Sequence, residues 1–150
     1  MSMDICDNFI VLLKELAKSL RLFQQQKAFC EGITFNQYFI LDAIVSQDRF
    51  LPLNQLHEYL GVEKSTTTRL IAPLVSLDYV QKQPSSDDSR AHILIITDKG
   101  LLAYQTFKKC LKEQLNIIIK SINLDEKLVL TGLSAFVNSV NACCGKKSYC

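Results

Sequence analysis

A chain of 150 residues that is 48% hydrophobic fits one domain and is long enough to bury a core without disulfide staples. Its formal charge of +2 argues neither for nor against a nucleic-acid partner, because a local patch outweighs the total. No stretch approaches the roughly 18 uncharged apolar residues of a membrane span, and Asp4 and Asp7 stand where an export signal needs basic residues, so a cytoplasmic protein is expected.

In chain order, Ile5, Phe9, Leu12, Leu13, Leu16, Leu20 and Phe23 step by three and four, which predicts a long amphipathic helix reaching about Phe29. "CEGIT" breaks it, and Thr34 can cap a second helix with Tyr38, Leu41, Ile44 and Val45 facing inward, ending near Asp48. A short extended piece, "RFLPL", leads to a third helix that buries Leu53, Leu56 and Leu60 and is stopped by Gly61. A fourth helix is predicted over about 63–77, with Pro73 expected to kink it or loosen its last turns.

"YVQKQP" and "HILIIT" read as two short strands joined by the polar turn "SSDDSRA". Thr97 is a good cap for a fifth, long helix through Leu101, Tyr104, Leu111, Leu115, Ile118 and Ile122. The run of three isoleucines at 117–119 makes it apolar nearly all round, as in a helix that is deeply buried or shared between subunits. Asn123 followed by Glu126 resembles a capping box for a sixth helix, striped by Val129, Leu133, Phe136, Val137 and Val140.

The stretch "EKSTTTRLIAPL" carries the functional signal, since three threonines have mediocre helix propensity and suit a helix start only where the surface meets something polar. At about 100° per residue, Leu70, Leu74 and Leu77 define the buried side, Thr66 points toward the core and Thr67 sits at its edge. Ser65, Thr68 and Ala72 point away, with Lys64 and Arg69 to either side. Helix, turn with Gly61, helix and charged-tipped hairpin make a winged helix-turn-helix, whose second helix reads the major groove. The fold expected is therefore mainly α with a small β-hairpin wing, and the basic residues Lys64, Arg69, Lys82 and Arg90 are offset by Glu58, Glu63, Asp78, Asp87 and Asp88, which predicts a modest salt dependence.

"LGVEKSTTTRLIAPLVSLDYVQKQPSSDDSRAHILIITDKG" resembles the recognition helix, the wing with its Asp-x-Arg tip (Asp88, Ser89, Arg90) and the closing Thr-x-x-Gly (Thr97 to Gly100) of the multiple antibiotic resistance regulators, MarR. Asp78 and Lys82 stand where that family commonly has Gly and Arg. The resemblance implies an obligate homodimer formed by the first, fifth and sixth helices, with a DNA-binding lobe over about 34–97 and dimerisation helices over about 4–30 and 98–144. It also implies a repressor-type activity on double-stranded DNA, with Arg90 reaching into the minor groove and Asp88 holding it. Lys64, Ser65, Thr67, Thr68 and Arg69 are then the candidate contacts to bases and phosphates.

Such regulators usually respond to a ligand, to thiol oxidation or to metal. Tyr38, Phe39, Tyr104 and Phe107 could line a pocket, although such spacing more often marks plain core. Of the six cysteines, Cys6, Cys30 and Cys110 are scattered and read as small buried hydrophobes, whereas Cys143, Cys144 and Cys150 crowd the tail "CCGKKSYC". Three thiolates near Lys146 and Lys147 suit a soft metal or metalloid, or oxidation, as against an incidental thiol-bearing tail; no cofactor is required. His57 and His92 read as isolated surface or hairpin residues. No phosphate loop, nucleophile elbow or zinc-hydrolase helix is present, so catalysis is not expected. A winged-helix protein-interaction module and a thiol-based metal-binding or redox protein without DNA binding stay open as alternatives.

Overall fold

The computed structural model describes residues 4–24, 30–86 and 91–144. In chain order these form α1 (Ile5–Gln24), α2 (Phe35–Ser46), β1 (Phe50–Pro52), α3 (Leu53–Leu60), α4 (Lys64–Ser76), β2 (Val80–Pro84), β3 (His92–Ile96), α5 (Asp98–Ser121) and α6 (Glu126–Cys144). This is the mainly helical winged helix-turn-helix expected. The chain divides into two compact units, residues 1–110 and 111–150, with the boundary inside α5. The expected stretch of the first helix beyond Gln24, up to Phe29, lies outside the described residues.

The first unit is organised around α2. Thr34 accepts the N–H of Gln37 on its hydroxyl at 3.4 Å and donates its own N–H to Gln37 Oε1 at 2.9 Å, a reciprocal cap that satisfies two otherwise orphaned donors. From there Phe35, Gln37, Tyr38, Ile40, Leu41, Ala43 and Ile44 are buried, so the helix is enclosed on more than one face. Leu56 of α3, Ile71 and Leu74 of α4, Leu51 of β1, Val80 of β2, and Leu94 and Ile96 of β3 complete this core.

The extended piece before α3 is a strand: β1 pairs antiparallel with β3, with Leu51 opposite Leu94, and β3 pairs antiparallel with β2, with Val80 opposite Ile96. The sheet order is β1-β3-β2. Both strand prolines, Pro52 and Pro84, fall on the edge strands, where a missing N–H costs no central ladder bond.

Local signals account for most boundaries. Gly61 ends α3 in the left-handed conformation, φ 62°, which a Cβ disfavours. Thr97 accepts the N–H of Gly100 on Oγ1 at 2.9 Å and so starts α5. Gly100 follows for a different reason, since a Cβ there would overlap the backbone carbonyl of Tyr79. That approach is held by Thr97, whose N–H donates to Tyr79 O at 3.0 Å and whose hydroxyl donates to Asp78 O at 2.7 Å.

One expectation is corrected. The sixth helix is capped by Asp125, whose carboxylate accepts the N–H of Leu128 at 3.0 Å, so Asn123 lies two residues too early to reach that donor. Pro73 lies inside α4, which continues to Ser76. The Pro73 carbonyl accepts Leu77 N–H at 3.0 Å and Ser76 Oγ–H at 2.8 Å, and the helix tightens only afterwards, where Asp78 N–H reaches Val75 O at 3.0 Å.

Candidate nucleic-acid interface

The face that α4 buries is centred on Thr67, Ile71 and Leu74, with Thr66, Leu70 and Leu77 half-buried. Thr67 is fully buried, which corrects both its expected place at the edge of the core and its assignment as a contact residue, and Thr66, expected toward the core, is the half-buried one. The physical reason is a partner that the spacing of apolar residues could not reveal. Thr67 Oγ1 lies 3.0 Å from His57 Nδ1 on α3 and donates to Glu63 O at 3.3 Å. With its one proton on the Glu63 carbonyl, the hydroxyl accepts from His57, which requires a proton on Nδ1. His57 is thus neither isolated nor simply superficial, since it ties α3 to α4 inside the helix-turn-helix.

Lys64, Ser65, Thr68 and Arg69 are exposed on α4, with Ala72 and Val75 continuing the same side. Thr68 donates its hydroxyl to Lys64 O at 3.0 Å, so its lone pairs remain to accept from a base amino group or a bridging water. Two clefts flank this strip. One of about 490 Å³ lies between α3, the start of α4 and β3, and is lined by Asn54, His57, Glu58, Lys64 and His92. The other, about 350 Å³, is walled by Leu53, Ile71, Ala72 and Val75 with Thr68, Ser76 and Lys82 at its polar side. Among these polar lining residues, Asn54 and Ser76 are ones that the sequence pattern did not single out, and His57 and His92 are ones it read only as isolated residues.

Strands β2 and β3 form the arms of the wing, and Ser85 N–H donates to Ala91 O at 2.9 Å beyond their paired ends. Asp88 and Arg90, the expected tip contacts, lie outside the described residues. Asp78, where the resembled family has glycine, takes φ 59° at the end of α4, and the left-handed backbone explains why glycine suits the position.

The aromatic residues proposed for a ligand pocket separate into two groups. Tyr38 stacks on Phe107 at 4.6 Å and on Tyr104 at 5.4 Å, and all three are buried, whereas Phe39 is 45% exposed. Tyr104 donates to Asp42 Oδ1 at 2.7 Å and receives Lys108 Nζ at 3.1 Å. Burial pushes the Tyr104 hydroxyl up to about 12, helped by its bond to the Asp42 carboxylate. Burial, with Tyr104 and Asp42 beside it, likewise pushes Tyr38 up to about 12. Both phenols therefore stay neutral at ordinary pH, as core groups do.

Cys143 is exposed on α6; the side chain of Cys144 and the whole of Cys150 lie outside the described residues. Among the described residues, no group of three or more His, Cys, Asp or Glu is placed to hold a metal ion, and no helix is long and apolar enough to cross a membrane.

A helix-turn-helix with an exposed hydroxyl-rich, cation-flanked second helix and a β-hairpin beside it defines a winged helix-turn-helix fold. Residues 31–91 match the family model described as MarR family. The HTH-type transcriptional regulator BilQ of Clostridioides difficile is 32% identical over 89 residues. That match spans 59% of this chain and 60% of that relative. Among solved structures, a MarR transcriptional regulator from Methanosarcina mazei is 25% identical with a TM-score of 0.71, covering 90% of this chain and 99% of that one. A mutant MarR from E. coli in complex with operator DNA is 21% identical with a TM-score of 0.68, again covering 90% of this chain and 99% of that one.

Proposed function

We propose that this chain is a homodimeric, sequence-specific, DNA-binding transcriptional regulator of the cytoplasm, acting as a repressor. In this reading α4 enters the major groove of a pseudo-palindromic operator whose half-sites lie about one helical turn, roughly 10 bp, apart. The observation that carries it is the two-sidedness of α4. Thr67, Ile71 and Leu74 anchor one face in the core, and Lys64, Ser65, Thr68 and Arg69 stand on the other. Arg69 offers a planar fork for guanine or phosphate, Ser65 and Thr68 offer hydroxyls for base edges, and Lys64 offers a point charge to the backbone. Arg90, held by Asp88, reaches the minor groove from the wing. The E. coli relative solved with operator DNA supports this reading by its shared fold.

The dimer is supported by apolar side chains that the chain leaves in solvent on α1, on the end of α5 and on α6. A small ligand, thiol oxidation, or a soft metal or metalloid at Cys143, Cys144 and Cys150 shifts α6 and with it the spacing of the two recognition helices. No catalysis is assigned.

Selection of binding sequences from random duplexes, followed by fluorescence anisotropy, tests the proposal. An enriched two-fold motif is expected, with Arg69→Ala weakening binding by about 1–3 kcal/mol, roughly fivefold to 150-fold, at unchanged melting temperature. No enriched sequence, or equal affinity for Arg69→Ala, overturns it.

A further inference from the structure

Two thiols that look unrelated in the sequence meet in the fold. Cys30 and Cys110, 80 positions apart, place their Sγ atoms 3.0 Å from each other, and both are half-buried. Their carriers are fixed from several sides. Cys30 opens a turn in which Ile33 N–H donates to Cys30 O at 3.1 Å and Tyr79 Oη–H donates to Glu31 O at 3.0 Å. Ile33 is fully buried, and Thr34 caps α2 immediately after it. Cys110 stands on α5 three residues after Phe107, which is fully buried against Tyr38 and Phe35. The contact therefore joins two anchored pieces of backbone, and a bond of about 2.05 Å needs the sulfurs to close by only about 1 Å, within reach of side-chain rotation.

We propose that Cys30 and Cys110 are a modification site that forms a reversible intrachain disulfide by exchange with a low-molecular-weight disulfide, independently of whether the protein binds DNA. In the first step the Cys110 thiolate attacks one sulfur of the small disulfide. The S–S bond breaks, one small thiolate leaves with the electron pair, and a mixed disulfide remains on Cys110. In the second step Cys30 gives its proton to solvent, attacks Cys110 Sγ and expels the second small thiolate. Two protein thiols are oxidised and one small disulfide is reduced to two thiols. Burial and the neighbouring Cys110 push the Cys30 thiol up to about 11. Cys30 therefore stays protonated near neutral pH, which makes it the poorer first attacker and assigns it the resolving step.

Incubating the whole protein with oxidised glutathione, blocking free thiols with iodoacetamide and mapping linked peptides by mass spectrometry tests the site. A Cys30–Cys110 link is expected as the main product, faster than in the urea-unfolded chain. Because the link closes a long loop, melting should rise by on the order of 10 °C and fall back with dithiothreitol. The same result is expected in a Cys143→Ser, Cys144→Ser, Cys150→Ser variant. Cys30→Ser should instead retain glutathione on Cys110. The proposal fails if Cys30 and Cys110 are alkylated while other cysteines pair, or if the link forms no faster in the folded chain than in the unfolded one.

Discussion

Helices α2 and α6 are both rich in apolar residues, yet they meet opposite fates. In α2, Ile40, Leu41, Ala43 and Ile44 have no exposed surface, because α3, α4 and the sheet of the same chain close over them. In α6, Leu128, Leu130, Leu133 and Val137 remain 63%, 67%, 53% and 52% exposed, and Ile5 on α1 is 68% exposed. The difference teaches that apolar content says a helix needs cover but not who provides it. The first unit covers its own α2, whereas α1 of the same unit and α6 of the second keep apolar side chains exposed, as an interaction surface would. In the proposed homodimer, each Leu or Ile that becomes fully buried would contribute about 1.5–3 kcal/mol.

The strongest way to break the contrast is to charge the uncovered face. In the homodimer reading, Leu130→Asp with Leu133→Asp should leave the helical circular-dichroism signal of the first unit intact while converting the dimer into a monomer in sedimentation. At least a thousandfold loss of association is expected, since each carboxylate would be desolvated against apolar partners. A dimer that survives both changes would mean that α6 is not where the subunits meet. Melting of the parent protein should also rise with concentration, as for any fold completed by association.

Next in size is a change inside the self-covered unit. Gly100→Ala places a methyl group into the carbonyl of Tyr79 at the start of α5, where neither backbone can yield cheaply. A loss of about 3 kcal/mol is expected, seen as a melting decrease of roughly 6–12 °C. The subunit affinity should be unchanged, which separates the two regions experimentally. A melting change below about 2 °C would show that the close approach is not tight.

How legible these regions were in the sequence follows from the range of each interaction. Thr34, Gly61 and Thr97 are readable because a cap or a left-handed stop is decided within three residues. The outward placement of Lys64, Ser65, Thr68 and Arg69 is readable because the helical period sets it. Thr67 was misplaced because its burial depends on His57, ten residues away on another helix, which converts a hydroxyl that should avoid the core into one that belongs there. The pair Cys30 and Cys110 was invisible for the same reason at greater range, and each cysteine alone reads as a small hydrophobe. Asp125 displaced Asn123 as the cap because α6 begins only at Glu126, and it is the phase of the helix that decides which side chain reaches the free donor.

A middle-sized effect sharpens this point about Thr67. Thr67→Val keeps the shape but removes the acceptor for His57 Nδ1 and the donor to Glu63 O. Leaving the imidazole N–H without its partner should cost about 1–2 kcal/mol, read by urea unfolding. His57→Ala in the Thr67→Val background should then cost less than in the parent, because the coupling has already been lost. Additive losses in that cycle would mean that the two residues do not act as a pair.

The smallest effect tests whether the first unit is optimised for its own stability. Asp78 holds φ 59° where α4 hands over to β2, and an L-residue with a side chain pays strain there that glycine avoids. The unfolded chain gains freedom from glycine, which opposes the relief, so Asp78→Gly should stabilise by only about 0.5–1 kcal/mol. In the DNA-binding reading it also removes a carboxylate from the lobe that carries Lys64, Arg69 and Lys82, so operator affinity should rise by a few-fold at low salt and by less at high salt. Asp78→Asn separates the contributions, since it keeps most of the left-handed tolerance and removes only the charge. Equal melting with raised affinity in Asp78→Asn, against raised melting and raised affinity in Asp78→Gly, would assign strain to the backbone and repulsion to the carboxylate; destabilisation by glycine would show that chain entropy outweighs the strain.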